Sequence, residues 1–563
     1  MKKKLFKILL ALTIVISSTL FWSELCFAQE EKYVLSEDGG NVIKSTSDAN
    51  ELITYMNDSS HFGQAKSYTL TLNDDLVIPV EGSNLKTLEI HCNLTIEGND
   101  NKITGADGGQ EGDRFIKIIT EKGNVNINNL KFDGSVNSSP KYAGILSRID
   151  TDRDELNLNL SFCTFENCKT GETSDGGAGL AVHNGANFIL IKKDVELKSC
   201  SFIKCSAKQA GGAISVSGMR SLILEDTFIS DCHATLFGGA IYTAFVQNLY
   251  LKGVKDSQNS CIENCSTTYE DNQGQYSVGG AITMHTSAAN KLDISNYIIK
   301  GCSAKGYGGA IHVGKSNCNI KNSKFIGNKV EKFSGGAICI NGGNLKIETG
   351  EEKTEFLQND AIYGGAIALI DGSIDIKNTE FKRNKAKTLV MSYGSEEYKY
   401  GGNGAAIYLG PPDYDQDEYT RTFNISEDSI ITENHADKFG GGIYSENGII
   451  SIDKSAIEKN TALNGGGLYL QGGSAEIKNE SEIRENEARF SIVEEEDPYS
   501  GESKKVRTGK GAGLYIKLSG DNEYKIENSK ITNNNAGDLG GGIYNEDSVL
   551  SIEKSTTIEK IRL

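Results

Sequence analysis

The chain has 563 residues, including 63 Gly, 5 Pro and 12 Cys, and its 58 Lys+Arg against 76 Asp+Glu give a formal charge of −18. Glycine stands above the roughly 7% of an ordinary domain and proline below the roughly 5%, without a Gly at every third position, which excludes collagen and proline-rich linker sequence. A hydrophobic content of 38% excludes wholesale disorder.

Residues 1–28 carry the three parts of a secretory signal: Lys2, Lys3, Lys4 and Lys7, an apolar run from Ile8 to Trp22, and Cys26-Phe27-Ala28 as the small-x-small site, so cleavage is expected before Gln29. The run is broken by Thr13, Ser17, Ser18 and Thr19, and a membrane anchor needs nearer 20 apolar residues. No second long apolar run comes after it, so no transmembrane segment is expected in the mature chain. Cleavage removes four Lys and Glu24, a net +3, and leaves −21. That surface repels phosphate backbones and anionic membranes, so nucleic acid is an unfavourable partner. The only Trp, Trp22, leaves with the signal, so any carbohydrate-stacking platform has to be built from tyrosines.

Residues 29–69 are expected to form an N-terminal cap. Within them Thr46–Met56 fits a short helix with Ser47 or Asp48 as N-cap, placed to cover the first edge strand of the strand-rich region beyond it. From residue 70 to 563 the chain is expected to be one solenoid. Leu94-Thr-Ile96 and Val125-Asn-Ile127 mark its first coils.

The pattern [GA]-[GA]-[AG]-[IL], often followed by Tyr, begins at Gly177, Gly211, Gly238, Gly279, Gly308, Gly335, Gly364, Gly404, Gly440, Gly465, Gly511 and Gly540. The short spacings are 25 to 29, and the longer ones fit insertions into that unit. Within the unit Leu345-x-Ile347 and Ile374-x-Ile376 alternate with period two, the mark of half-buried strands. A third segment comes next, as in Ser323-Lys-Phe325-Ile-Gly-Asn328 and Thr379-Glu-Phe381-Lys-Arg-Asn384. Three short strands per repeat predict an all-β fold, a parallel β-helix in which each strand pairs with its equivalent one coil away. A β-propeller blade needs four strands in about 40 to 50 residues, more than this unit holds.

The Gly pair fits a corner that tolerates no side chain. Asn328, Asn359, Asn384, Asn434, Asn460, Asn486 and Asn534 fall at one position and are expected to stack as a hydrogen-bonded ladder, with the Asn in a left-handed conformation. The five preceding coils place Cys168, Cys205, Cys232, Cys265 and Cys302 there.

The Gly-Gly-Ala-Ile motif coupled to Phe-x-x-Asn resembles the polymorphic outer-membrane protein repeat of chlamydial-type surface proteins. Full pairs stand at Phe325/Asn328 with Gly335, Phe356/Asn359 with Gly364, and Phe381/Asn384 with the variant Gly404-Ala405-Ala406-Ile407. The resemblance covers roughly residues 165–563. It implies a right-handed parallel β-helix displayed at the cell surface, associated with the outer membrane, with adhesion as its role. The sequence departs from the family where Cys or Ile replaces the family residue. Its last copy, around Ile558 and Ile561, has Ile where the ladder calls for Asn, which suggests a truncated gene or a frameshift that removed an anchor.

Eleven cysteines remain after cleavage, and side chains stacked in parallel fit a disulfide dihedral poorly. Buried thiols acting as small hydrophobes are therefore expected. Asp150-x-Asp152-x-Asp154-Glu155 and Asp413-x-Asp415-x-Asp417-Glu418 could offer oxygens to Ca²⁺, but the loop pattern is incomplete, and solvated turns are the plainer reading. No metal and no cofactor is assigned. His183, His233, His285, His312 and His435 are expected at the surface. Three insertions, 266–278, 385–403 and 487–510, fall between the ladder residue and the Gly pair. They carry Tyr269, Tyr276, Tyr393, Tyr398, Tyr400 and Tyr499, the candidate ligand-binding residues, on one edge of the solenoid. The expected function is adhesin-like binding of a glycan or protein on a host or neighbouring cell, without catalysis. A polysaccharide lyase or hydrolase on the same scaffold and a passive envelope spacer are the alternatives.

Overall fold

In a computed structural model the described residues are 31–562, except 64–65, 121, 138, 150–154, 172–175, 185–193, 272–274, 286–289, 394–395, 412–420, 497–502 and 518–522. The expected signal segment, residues 1–28, lies outside them. The repeat unit closes into a coil, and successive coils pair in parallel through three sheets of 31, 16 and 11 strands. This is the parallel β-helix that the alternation predicts. No helix of the described residues is long and apolar enough to cross a membrane.

One coil shows the plan. After Gly308 comes Ile311–Val313, then the alternating strand Ser316–Lys321; both join the widest sheet. Lys324–Ile326 joins the second sheet, and the two-residue strand Lys329–Val330 joins the third. A coil thus spends four strands on three sheets. The extra strand arises because the segment after the Gly pair continues round a shallow corner into the alternating strand, and in two coils the pair fuses into single strands, Ile338–Ile347 and Ile367–Lys377.

The corner glycines have two different tasks. Gly308 has φ +65°, a left-handed backbone that an L side chain enters only at a cost. A Cβ on Gly309 would collide with the Gly336 carbonyl of the next coil.

Inward positions of the two larger sheets fill one continuous core, while inward alanines of the third sheet form small clusters of their own, Ala386, Ala436 and Ala462 with Ala405, and Ala488 and Ala536 with Ala512. Phe132, Phe165 and Phe202 stack ring on ring at 4.5 and 4.7 Å, and Phe325, Phe356 and Phe381 at 4.8 Å, the coil spacing itself. At the N-terminal end the helix α1, Ala49–Met56, turns Leu52, Ile53 and Met56 into this core. Asp48 caps it, its Oδ1 accepting from the Asn50 and Glu51 amides at 2.8 and 3.2 Å. Beside it Tyr33–Glu37 pairs antiparallel with Asn41–Thr46 and Ser67–Leu72, so the first coil's edge is occupied.

The asparagine ladder forms, with one correction. Asn359 accepts on Oδ1 from the backbone N and the Nδ2 of Asn328, at 2.9 and 3.0 Å, and donates its own Nδ2 to Phe325 O and Asn384 Oδ1, each at 3.0 Å. The pattern runs unbroken to Asn534, all fully or almost fully buried. The left-handed residue is not the Asn but the one before it: Gln358, Arg383, Glu433, Lys459, Glu485 and Asn533 have φ between +54° and +57°. The backbone reverses at that outer residue, which frees the Asn to point inward. In the earlier coils the thiol of Cys205 donates to Phe165 O at 3.6 Å and that of Cys232 to Phe202 O at 3.7 Å, weaker copies of the amide bond from Asn359 to Phe325 O.

Candidate functional site

The three predicted insertions leave the coil at the third sheet, and two of them are antiparallel hairpins; the chain also lengthens at another corner, between Leu409 and Arg421. The first pairs Thr388–Tyr393 with Glu396–Gly401, and the second pairs Ile492–Glu496 with Ser503–Arg507. Both rise at the same corner, directly after the short strands Lys385–Ala386 and Glu487–Ala488. Strands His435–Ala436 and Thr461–Ala462 lie between them in the ladder. The hairpins therefore stand three coil steps apart, about 14 Å at the ~4.8 Å strand spacing, with two plain corners as the floor.

The two ends of the third insertion are tied together by a single antiparallel bridge, Glu270 to Tyr276. Ser277 N donates to Tyr269 O at 2.9 Å and Asp271 N to Gln275 O at 3.1 Å.

These frames decide what the candidate tyrosines do. Tyr398 and Tyr400 lie on one face of the first hairpin with ring centroids 6.5 Å apart, opposite Met391 and Leu389 in register. Both are half-buried. Tyr393 holds the register position opposite Glu396. Tyr276 is a packing residue, edge-on to Phe333 at 4.9 Å, and Phe333 stacks on Tyr307 at 5.0 Å. Tyr269 donates its hydroxyl to Asp271 Oδ2 at 3.2 Å, and that carboxylate raises the phenol's pKa. Tyr499 lies outside the described residues, as do the acidic runs through Asp150, Asp152 and Asp154 and through Asp413, Asp415 and Asp417.

The tyrosine that follows the Gly pair belongs elsewhere. Tyr408, Tyr444, Tyr469 and Tyr515 stack at 5.3, 5.5 and 4.7 Å and are at most 6% exposed. They point away from the main core, since their neighbours in the strand point in, and the chain before the Gly pair folds over them with Tyr363 and Phe439. Burial raises the Tyr444 pKa well above its usual value. Such rings offer no open face to a sugar.

Between the hairpins sits a charged group that sequence reasoning misses. Asp437 accepts from the Thr388 amide at the base of the first hairpin, at 2.8 Å, and from His435 Nε2 at 3.4 Å. The histidine, and then that amide, hold its carboxyl below the usual range. Arg489, at the base of the second hairpin, reaches back across the floor and donates Nη2 to Ala436 O at 3.3 Å. Its Nε is shut off from solvent and has no hydrogen-bond partner. The sequence does hold a signal: Arg489 occupies the position after the corner alanine, equivalent to Asp437 two coils earlier.

The histidines behave individually. His233 and His435 share one column of the third sheet, and His233 Nδ1 lies 3.2 Å from Ser266 Oγ. His312 departs from the surface expectation: its Nδ1 is buried without a partner, and desolvation lowers its pKa to about 4. The strand after the Gly pair presents it to the same covered gap that holds the tyrosines, next to Thr283 and Cys339 in register. All eleven cysteines from Cys92 to Cys339 are buried and free. Burial pushes Cys92, Cys261 and Cys339 up to about 12.

Residues 428–446, the coil from Asp428 to Glu446, match the Chlamydia polymorphic membrane protein repeat. This is the repeat that the Gly-Gly and Asn motifs resemble, and it associates the coil with surface proteins of the outer membrane. No curated protein and no solved structure matches the chain.

Proposed function

We propose that this solenoid is displayed at the cell surface and works by binding, in the manner of an adhesin, with the hairpin-bearing edge as its contact surface and a glycan or protein of a host or neighbouring cell as its partner. One observation carries this reading: two separate insertions fold into hairpins at the same corner of the coil, while the coils between them keep the minimal corner. Loop length costs little in a folded chain, and the chain also lengthens at another corner, between Leu409 and Arg421; what favours a shared surface is that both insertions that pair as hairpins rise at the same one. The match to a surface-protein repeat supports the location. The tyrosines of the first hairpin, Tyr398 and Tyr400, are the partly open aromatic groups on that edge.

The test is a panel of polysaccharides and intact cells incubated with the full mature chain. Retention of the chain on at least one target, with the target recovered at unchanged size, supports binding. Release of shortened or unsaturated sugar products overturns it in favour of a lyase or hydrolase, and failure to be retained by any target overturns it in favour of a spacer.

A further inference from the structure

One aromatic ring sits on a backbone that suits other residues. At the corner between the alternating strand and the second sheet many coils turn through a left-handed residue, and it is Asn129, Ser199, Asp226, Asn296, Asn322 or Asn378, with φ between +44° and +53°. Phe162 stands in the same series at φ +55° and is 57% exposed. Short polar side chains tolerate this backbone, whereas a bulky ring there is strained. Among the described residues no aromatic ring and no cation covers Phe162. Phe490, the other phenylalanine that is at least half open, lies against the Arg507 guanidinium, 5.5 Å from its centroid. A strained, open side chain that the fold does not cover is the kind of outlier that function explains.

Phe162 borders a face of unusual composition. Outward side chains of the widest sheet form three columns that begin at Ser67, Thr69 and Thr71. Over the first four coils these columns hold amides and hydroxyls and a single charge, Glu97; Lys122 and Glu155 pair in register one step outside them. The next coil brings Glu196 and Lys198 into the same columns, and most later coils carry charge there as well. Beside Phe162 the amides hold one another in place. Asn159 Nδ2 donates to Asn126 Oδ1 and Asn157 Nδ2 to Asn124 Oδ1, both at 2.9 Å, and Asn126 Nδ2 donates to Thr95 Oγ1 at 3.3 Å. An amide has two N–H donors and two lone pairs, so each keeps bonding capacity in a fixed orientation. Among the described residues Asn124 Nδ2, Asn159 Oδ1 and the side-chain amide of Asn129, one coil before Phe162 at the same corner, meet no partner.

An open ring beside uncharged, fixed amides is complementary to a sugar. The negative face of the ring attracts the polarised C–H groups of a pyranose, and a side-chain amide can donate to one hydroxyl of a diol and accept from its neighbour. Anionic glycans and nucleic acids find no cation in these columns. A protein partner finds no apolar cluster, because none of the outward residues of these four coils is hydrophobic, and the centre of a protein interface is apolar.

We infer that Phe162 and the amide columns beside it form a binding site for an uncharged glycan, with one sugar ring stacked on Phe162 and hydroxyls of the chain meeting Asn126, Asn129 and Asn159. The backbone strain at Phe162 is then what keeps the ring open to its ligand. The site lies on the widest sheet and not at the third-sheet corner, so it goes beyond the hairpin edge and stands or falls separately from it.

The experiment measures binding of the full mature chain to beads carrying dextran, mannan or β-glucan, with polygalacturonate and chitosan as charged controls, at about 0.05 and 0.5 M salt. At least one uncharged polysaccharide is expected to hold the chain, equally at both salt concentrations. Phe162→Asn is expected to lose at least tenfold in affinity while melting no lower than the parent, and Phe162→Tyr to keep most of it. Asn126→Ala combined with Asn159→Ala is expected to lose at least tenfold at unchanged far-UV circular dichroism, whereas Asn319→Ala, further along the same column, leaves binding as it is. Failure of every uncharged polysaccharide to hold the chain, binding only to a charged one, or unchanged binding of Phe162→Asn overturns the inference. Lost binding that comes with a lowered melting temperature gives the ring a packing role and overturns it too. A chain with both hairpins replaced by short turns is expected to bind the uncharged polysaccharide like the parent. Loss of binding in that chain moves the glycan to the hairpins and sinks this site alone, while failure of the Phe162 variants to act leaves the hairpin reading standing.

Discussion

Replacing Asn384 by Ala should open one rung of the buried ladder, and the structure gives the cost. Asn384 Oδ1 accepts from Asn359 N at 2.9 Å and Asn359 Nδ2 at 3.0 Å, and its Nδ2 donates to Phe356 O and Asn434 Oδ1, both at 2.9 Å. The variant leaves the Asn359 backbone N–H with no side-chain acceptor in a site closed to water. Asn359 Nδ2 keeps its bond to Phe325 O, and Asn434 Oδ1 keeps the Asn384 amide at 2.9 Å, so those groups are only half stripped. One orphaned buried donor costs roughly 1–3 kcal/mol, and the lost partial bonds and the small void bring the sum to about 3–5 kcal/mol. Because a solenoid's stability is approximately a sum over repeats and their interfaces, the damage should be local. Hydrogen exchange at the Asn359 amide and at the amide of position 384 should quicken by roughly 100- to 4,000-fold, taking 1.4 kcal/mol per tenfold, while exchange at Asn128 or Asn159 stays as in the parent. An acceleration below tenfold would refute the hydrogen-bond accounting of the ladder.

The same geometry sets other outcomes. Asn328 has a cysteine beneath it, so its Oδ1 accepts only the Cys302 amide, at 3.0 Å; Asn328→Ala should cost about 1 kcal/mol less than Asn384→Ala in urea unfolding, and equal costs would contradict the ladder's direction. Phe162 is 57% exposed at φ +55°, a conformation its neighbours along that corner fill with Asn129 and Ser199; Phe162→Asn should stabilise by about 0.5–1 kcal/mol, read as a raised melting temperature, and a drop would show that the ring packs. The His312 imidazole sits at about 4 against 6.5, so between those values the unfolded chain binds the extra proton. Stability present above pH 6.5 should therefore fall as pH drops toward 4, by at most about 3 kcal/mol. His312→Leu should flatten that slope in melts at pH 7.5, 5.5 and 4.5, and an unchanged slope would refute the assignment. The eleven thiols should resist a maleimide in the native state and react in denaturant; fast native labelling of Cys339 would contradict its burial.

The parts of the fold that repeat are legible because each obeys a local rule. Leu345-x-Ile347 announces a strand by its period, Gly308 a left-handed corner, and Asn328, Asn359 and Asn384 a ladder by common offset. The cysteines of the early coils share that offset, since a thiol at Cys205 does a weakened version of the amide's task. Contacts between coils set the features that the sequence hides. The strand Lys329–Val330 is only two residues long, too short to show a period, and exists because eleven such pieces stack. The left-handed turn falls on Gln358 and not on Asn359, although Asn favours that conformation in isolation; burial and the stacked amide decide it. The tyrosines after the Gly pair recur at one offset, but only the structure shows that the preceding corner covers them. On the candidate edge Tyr393, Tyr398 and Tyr400 mark the insertions and their common position, but no residue pattern shows that two of them fold as hairpins. Arg489 is marked in the sequence only by its place after the corner alanine, the place Asp437 holds two coils earlier; that its Nε has no partner depends on neighbours in other coils.

Binding through the hairpin-bearing edge is tested most directly by removing both hairpins. Residues 388–401 and 491–508 are replaced together by short Gly-Asn turns, in a chain whose far-UV circular dichroism is unchanged, and attachment to target cells is measured against the parent. Attachment should fall at least tenfold. Attachment equal to the parent would contradict the proposed function and leave the hairpins as passive loops on a spacer.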